Sequence, residues 1–201
     1  MESLDQDITL YLNSLYSDGF DTFFWYVSLK YTWFVIGALL IAYLFIKQKP
    51  REAVWFLLFV VVMILASDQV CNLCKHTVQR FRPCWDEDIM DIVHIVNDDR
   101  GGKYGFFSAH SAVFFGLAYM TSKFFRNKYF TITIYVIAVM VAYSRIYLGR
   151  HYVGDVLVGA AVGTIFAMLA WWGFQKTNKK ILRKEEEERG KRKEESVEIK
   201  D

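Results

Sequence analysis

The sequence predicts an all-α fold, a polytopic membrane bundle of five transmembrane helices preceded by an interfacial amphipathic helix. Three observations carry this. Hydrophobic residues make up 54% of the 201 positions, above the 45–50% of an average soluble domain. Almost none of that excess lies after Phe174. Five apolar segments, 31–46, 53–74, 106–125, 129–148 and 153–174, approach or reach the roughly 17–25 residues that cross a bilayer. A chain this short has no water-soluble core large enough to hide five such helices.

Taken in order, residues 1–28 open with Leu4, Ile8, Tyr11, Leu12 and Leu15 at helical spacing, while Asp5, Asp7 and Asn13 fall elsewhere on the helix. That pattern predicts a helix lying in the membrane interface. No basic stretch precedes an apolar one there, so the segment does not read as a cleavable signal peptide. The first span is short unless it runs back past Lys30 into "DTFFWYVSL", with the lysine snorkelling. The second should end near Pro83, which disfavours helix at the residue before it. Ser108 is placed to cap the third. The fifth gives way to "KKILRKEEEERGKRKEESVEIKD", expected to prolong the helix briefly and then become disordered. Three units result: 1–28 interfacial, 29–174 transmembrane, and 175–201 a charged tail. Neither an internal repeat nor a second folded domain is evident.

Short cytoplasmic loops are enriched in lysine and arginine. "KQKPRE", "FRNK" and the lysines after Phe174 all fall on one side of a five-span arrangement, which makes that side, and the tail, cytoplasmic. The opposite side should then be poor in cations. It instead collects Lys75, Arg80, Arg82, Arg145 and Arg150, with His110 and His151. They come from "KHTVQRFRP", "FSAH" and "SRIYLGRHYVGD", three stretches that connectivity returns to one membrane edge. Ionisable groups at such a depth are costly unless paired, hydrated or functional. Converging cations call for a shared anion, and phosphate has the fitting size and charge.

Lys75 and Arg82 are seven apart and would share a helix face. Ser108, Ala109 and His110 would form a helix N-terminus, an anion site by its free N–H groups and dipole. His151 and Asp155 are four apart. A carboxylate there can fix the imidazole tautomer and leave the other ring nitrogen as base, ligand or nucleophile. Each feature alone also has a plain reading, as a snorkelling cation, a serine cap or a structural His–Asp pair.

Together, in order and spacing, these stretches resemble the three-part signature of the type 2 phosphatidic acid phosphatases, relatives of the vanadium haloperoxidases. The first and third parts match in full at Lys75, Arg82 and Pro83, and at Ser144, Arg145, His151 and Asp155. The middle part keeps Ser108 and His110 but has Phe107 for a proline and Ala109 for a glycine. The resemblance implies a cofactor-free, metal-independent lipid phosphatase. Lys75, Arg82 and Arg145 would clamp the phosphoryl oxygens with Ser108 and the Ala109 N–H. His151 would attack phosphorus, Asp155 would orient it, and His110 would protonate the leaving oxygen. Candidate substrates are phosphatidic acid, phosphatidylglycerol phosphate, undecaprenyl diphosphate and the phosphorylated sugar of lipid A. The expected partners are such a lipid and the bilayer, with no nucleic acid and no obligate protein. The expected site is the outer face of the cytoplasmic membrane. A non-catalytic anion binder or transporter is the alternative, and a vanadate-dependent haloperoxidase a remoter one.

Other residues stay open. Arg80 and Arg150 lie outside the signature, as head-group or supporting contacts. Asp68 would tune Lys75 or pair with a polar neighbour. "CNLC" at Cys71 and Cys74 reads as packing, a Cys74–Cys84 disulfide has no support in the sequence, and a zinc site lacks evident ligands. His94 is expected to be solvated, within an outer loop that could act as a lid. Gly159 and Gly163 are spaced for close helix contact, within the chain or between copies.

Overall fold

Pro50 has no N–H to leave unsatisfied and therefore opens a helix well. The apolar run behind it carries that helix 29 residues, to Val78. The computed structural model describes residues 2–198 and is helical through most of them, the described residues containing one isolated antiparallel bridge, Phe81–Tyr104. The helices are α1 (Glu2–Asn13), α2 (Asp18–Ser28), α3 (Lys30–Lys47), α4 (Pro50–Val78), α5 (Ala109–Phe125), α6 (Lys128–Tyr147) and α7 (Val153–Glu198).

Among the described residues, three helices, α4, α6 and α7, are long and apolar enough to cross a bilayer, and α2 with α3 would make a fourth if the bent pair is one span. α5, at 17 residues, sits at the lower limit for crossing. The first span does not run continuously back through Lys30, because the axis bends by 54° between α2 and α3. Leu29 is extended there. The Thr32 hydroxyl donates to Tyr26 O at 2.8 Å and the Trp33 indole to Val27 O at 2.7 Å, satisfying carbonyls that a continuous helix would have paired.

Two further expectations are corrected. Helix α4 stops at Val78, not near Pro83. Gln79 adopts a left-handed conformation with φ 52° and its N–H returns to Lys75 O, so Lys75 and Arg82 do not share one helix face. The charged tail does not become disordered after a short extension, since α7 continues to Glu198. Its 46 residues span about 69 Å at 1.5 Å per residue, against a hydrocarbon core of about 30 Å. Arg183–Glu187 and Arg192–Glu188 pairs one turn apart support it. Arg51 pairs with Glu185, and Asn178 donates to Glu52, which ties α7 to the start of α4 at the end opposite the N-terminus of α7.

The core of the bundle is the contact of α5 with α7, the most extensive helix pair. Small residues permit it. A Cβ on Gly163 would lie 1.9 Å from Ala112 O, and one on Gly159 2.5 Å from Ser108 O. The two glycines thus serve a close approach within the chain, and Ser111 Oγ seals it by donating to Val156 O at 2.7 Å. Farther along, Phe56, Met63, Met120, Ala167 and Phe174 fill the space between α4, α5 and α7. This packing brings the C-termini of α4 and α6 and the N-termini of α5 and α7 to the same end.

Candidate active site

Each wall of the site is made by a chain reversal at that end. After α4, the bridge between Phe81 and Tyr104 turns the backbone inward. Arg82 N–H donates to Lys103 O at 3.1 Å and Gly105 N–H to Arg80 O at 2.9 Å. Arg82 therefore reaches the site from an extended segment, with its Nε donating to Tyr104 O at 3.2 Å. Gly105 is the meeting point. A Cβ there would lie 3.0 Å from Arg82 Cγ, 3.1 Å from Asp155 Oδ2 and 3.5 Å from His151 Nδ1.

Ser108 is fully buried and caps α5, its Oγ accepting the Ser111 N–H at 3.3 Å. The hydroxyl proton stays available to donate. The N–H groups of Ala109 and His110 occupy the first helical turn, where no intrahelical acceptor exists. Ser108 N–H donates to Asp155 O at 3.0 Å, locking the start of α5 to the start of α7. His110, in the same turn, lies within electrostatic reach of Arg145, His151, Arg150 and Lys75.

The third wall is the turn from α6 to α7. Gly149, with φ 64°, takes the left-handed conformation that glycine adopts without a Cβ penalty. The N–H groups of Arg150 and His151 both donate to Arg145 O. His151 and Asp155 are buried, with His151 Nδ1 facing Asp155 Oδ2 at 3.4 Å. That oxygen also accepts the Tyr152 N–H at 3.2 Å, and Oδ1 accepts from Arg80 Nη1 at 3.0 Å. Burial pushes His151 well below the usual imidazole range, and the charges of Arg82, Arg145, Lys75 and Arg150 push it the same way. The ring is thus held neutral, the form that has a nucleophilic nitrogen.

All eight residues singled out from the sequence, Lys75, Arg82, Ser108, Ala109, His110, Arg145, His151 and Asp155, lie at this one end. Among the described residues, Lys75, Arg82 and Arg145 form no ion pair. Arg145 is 2% exposed and donates through Nη1 to Ser28 Oγ, while its Nε and that of Arg150 are buried with no partner. Buried cations of this kind favour an anion between them. No group of three or more His, Cys, Asp or Glu side chains is arranged as metal ligands among the described residues.

The sequence left several contributors unassigned. Arg80 links Asp155 to Asp5, which accepts its Nη2 at 2.8 Å. Arg150 pairs with Asp99, and Ser28 holds Arg145. Asp68 accepts from Asn72. The three cysteines are free thiols, Cys71 donating to Phe107 O at 3.1 Å. His94 is not solvated. Its Nε2 meets Asp21 Oδ1 at 2.9 Å and its ring stacks on Tyr16 at 3.9 Å, because the 84–104 loop folds back on α1 and α2.

A family model described as the PAP2 superfamily matches residues 55–179. A lipid A 4'-phosphatase from Porphyromonas gingivalis is 38% identical over 163 residues, 81% of this chain and 69% of that protein. Another from Bacteroides thetaiotaomicron is 34% identical over 165 residues, 81% of this chain and 73% of that protein. Among solved structures, LpxE from Aquifex aeolicus aligns with a TM-score of 0.62 at 21% identity, covering 82% of this chain and 92% of its own. A PAP2-type phosphatidylglycerolphosphate phosphatase from Bacillus subtilis aligns at 0.65 and 22%, covering 88% and 86%. At those identities the structural likeness concerns the fold alone.

Proposed function

Because the chain belongs to the PAP2 superfamily and is a membrane-embedded lipid phosphatase, we propose that it removes a phosphate from the sugar head of a lipid A-type glycolipid through a phosphohistidine. Three cations without carboxylate partners around one buried neutral imidazole carry the mechanistic part of this reading. The two curated relatives carry the substrate part.

In the proposed reaction, Lys75, Arg82 and Arg145 hold the non-bridging oxygens, with the Ser108 hydroxyl and Ala109 N–H on the remaining edge. Nε2 of His151 donates its lone pair to phosphorus as the P–O bond to the sugar breaks. His110, protonated once the charge of the bound phosphate offsets the surrounding cations, gives that proton to the departing oxygen. Asp155 stabilises the positive imidazole that forms. Water deprotonated by His110 then attacks the phosphohistidine, returning the ring to neutrality and releasing inorganic phosphate. Fixed cations supply the charge stabilisation that phosphoryl transfer requires, so the proposed cycle needs no metal.

A cavity of about 450 Å³ supports a lipid substrate. It is lined by apolar side chains of α3, α4, α5 and α6, from Trp33 and Phe114 to Phe125 and Phe130. Phe114 lies one turn along α5 from His110. The stretch from Phe114 to Phe125 is about 16 Å, room for much of an acyl chain.

The proposed topology has five spans, counting α5, with residues 1–28 at the interface. The basic turns and the tail face the cytoplasm, and the site opens on the outer side of the cytoplasmic membrane. The test is phosphate release by the purified protein from lipid A, phosphatidic acid, phosphatidylglycerol phosphate and undecaprenyl diphosphate, with EDTA present. Lipid A should be hydrolysed fastest, and His151→Ala should release nothing. Turnover by His151→Ala, or its loss in EDTA, would overturn the mechanism, and a different preferred lipid the substrate.

A further inference from the structure

α1 faces its neighbours with the side that a soluble amphipathic helix would turn to water. Asp5, Thr9 and Asn13 recur every four residues along it and point inward, Thr9 and Asn13 being 1% and 2% exposed. Leu4 and Tyr11, at 62% and 66%, point out.

What the polar stripe touches is specific. Asp5 Oδ1 accepts the Gly154 N–H at 2.9 Å and Thr9 Oγ1 the Val153 N–H at 3.1 Å. These are first-turn donors of α7, which no intrahelical carbonyl can satisfy. Asn13 Nδ2 donates to Tyr147 O at 2.7 Å and Ile146 O at 3.2 Å, in the last turn of α6. One helix thus closes both ends of the turn that carries Arg150 and His151. Asp5 does more, since its Oδ2 accepts from Arg80 Nη2 at 2.8 Å while Arg80 Nη1 donates to Asp155 Oδ1 at 3.0 Å. Arg80 is pinned between the two carboxylates and lies over the Tyr152 ring at 4.1 Å.

We propose that α1 is a splint for the nucleophile turn, and that Asp5 and Arg80 are positioning residues that orient the Asp155 carboxylate behind His151. The inference rests on His151 being the nucleophile. Arg80 grips the Asp155 oxygen that His151 does not face and so fixes the plane of the carboxylate. Asp5 holds Arg80 in that position and shares its charge, leaving Asp155 the negative charge with which to stabilise a positive imidazole. Without Asp5, the guanidinium is free to swing and gives its whole charge to Asp155. Arg80 spends its Nη groups on Asp155 and Asp5, and Asp5 its oxygens on Arg80 and the Gly154 N–H, so substrate capture by Lys75, Arg82 and Arg145 should survive their loss.

The experiment compares Asp5→Asn, Asp5→Glu and Arg80→Lys with the wild type in full-length purified protein, using phosphate release from lipid A and inhibition by inorganic phosphate. Asp5→Asn should lower kcat at least 10-fold, with KM and the phosphate inhibition constant within threefold. Arg80→Lys should do the same to a smaller degree, and Asp5→Glu should recover most of kcat. Should Asp5→Asn fail to accumulate, Thr9→Val removes one splint contact with little change of volume and should show the same split. A wild-type kcat in Asp5→Asn or Thr9→Val, or a weakening of phosphate inhibition in parallel with kcat, overturns the proposal. His151→Ala separates the two readings. If it is inactive while Asp5→Asn is normal, the splint fails and the nucleophile stands. If His151→Ala turns over, the nucleophile itself is misassigned.

Discussion

Replacing Gly159 by alanine tests whether the spacing of α5 and α7 sets the geometry of the site. The new Cβ would stand 2.5 Å from Ser108 O and 3.2 Å from Ser111 Cβ. Carbon and carbonyl oxygen approach no closer than about 3.3 Å, so the helices must part by about 0.8 Å. The obstacle is backbone, and Ser108 O already accepts the Ala112 N–H, so it cannot turn aside. The displacement falls between Ser108, Ala109 and His110 on one helix and His151 and Asp155 at the start of the other. A misplacement near 1 Å can cost about 100-fold in rate, so kcat should fall roughly 30- to 100-fold, with about 1–3 kcal/mol lost to overpacking. Gly173→Ala is the control, because its Cβ would meet the ring edge of Phe59 at 2.7 Å, a side chain that can move, far along α7 from the site. It should lose stability without losing kcat. Steady-state phosphate release and thermal unfolding in detergent measure both effects. Wild-type kcat in Gly159→Ala, or an equal kcat loss in Gly173→Ala, would refute the link between helix spacing and catalysis.

Asp155→Asn should lower kcat by about 10²–10⁴-fold, because an amide can present its N–H to the ring and select the wrong tautomer; pre-steady-state phosphoenzyme formation should slow in step. Arg145→Lys keeps the charge but loses the planar fork that reaches Ser28, and a lost charge-assisted hydrogen bond of about 1.5–3 kcal/mol corresponds to roughly 10- to 100-fold in kcat/KM. Gly105→Ala places a methyl group about 3 Å from both Arg82 and Asp155 and should slow turnover while leaving expression intact, as read by phosphate release per folded protein. Because His151 is held well below the usual imidazole range, the unfolded chain binds its proton near pH 6.5 and the folded chain does not. Its contribution to stability is therefore complete above that pH and is lost progressively as the pH falls below it. Thermal unfolding of His151→Gln should lack that part of the wild-type pH dependence.

The helices were legible because the solvent for most of them is hydrocarbon, so apolar runs translate directly into α4, α6 and the first half of α7. Ends were less legible. Gln79 stops α4 four residues before Pro83, a left-handed cap on a residue type with no special preference for it. The continuation of α7 rests on pairs such as Arg183–Glu187, whose composition alone also suits a disordered tail. The bend at Leu29 depends on Thr32 and Trp33 side chains reaching back to α2 carbonyls, a tertiary event with no local signature. The residues with spacing signals, Lys75, Arg82, His151 and Asp155, come to one end of the bundle. Arg82 nevertheless arrives on the extended segment beside the Phe81–Tyr104 bridge instead of along a helix, so its place rests on a pairing that helical spacing does not show.

Asp5 shows what spacing alone withholds. The periodicity of α1 was visible, but periodicity says only that two faces differ, not which one meets the neighbouring helices. In water the apolar face turns inward. With α1 at a membrane edge, as proposed, the outer medium accepts Leu4, Ile8 and Tyr11, and the pressing need lies inside, where the ends of α6 and α7 present backbone donors and acceptors with no helical partners. Each such group buried unpaired costs about 1–3 kcal/mol, whereas the apolar side chains lose little by facing lipid. The same rule applies to Ser28, the last residue of α2, which meets the buried guanidinium of Arg145. In a small membrane enzyme, polar residues within otherwise apolar helices therefore mark where buried backbone ends and charges must be satisfied, and those points surround the turn that carries His151.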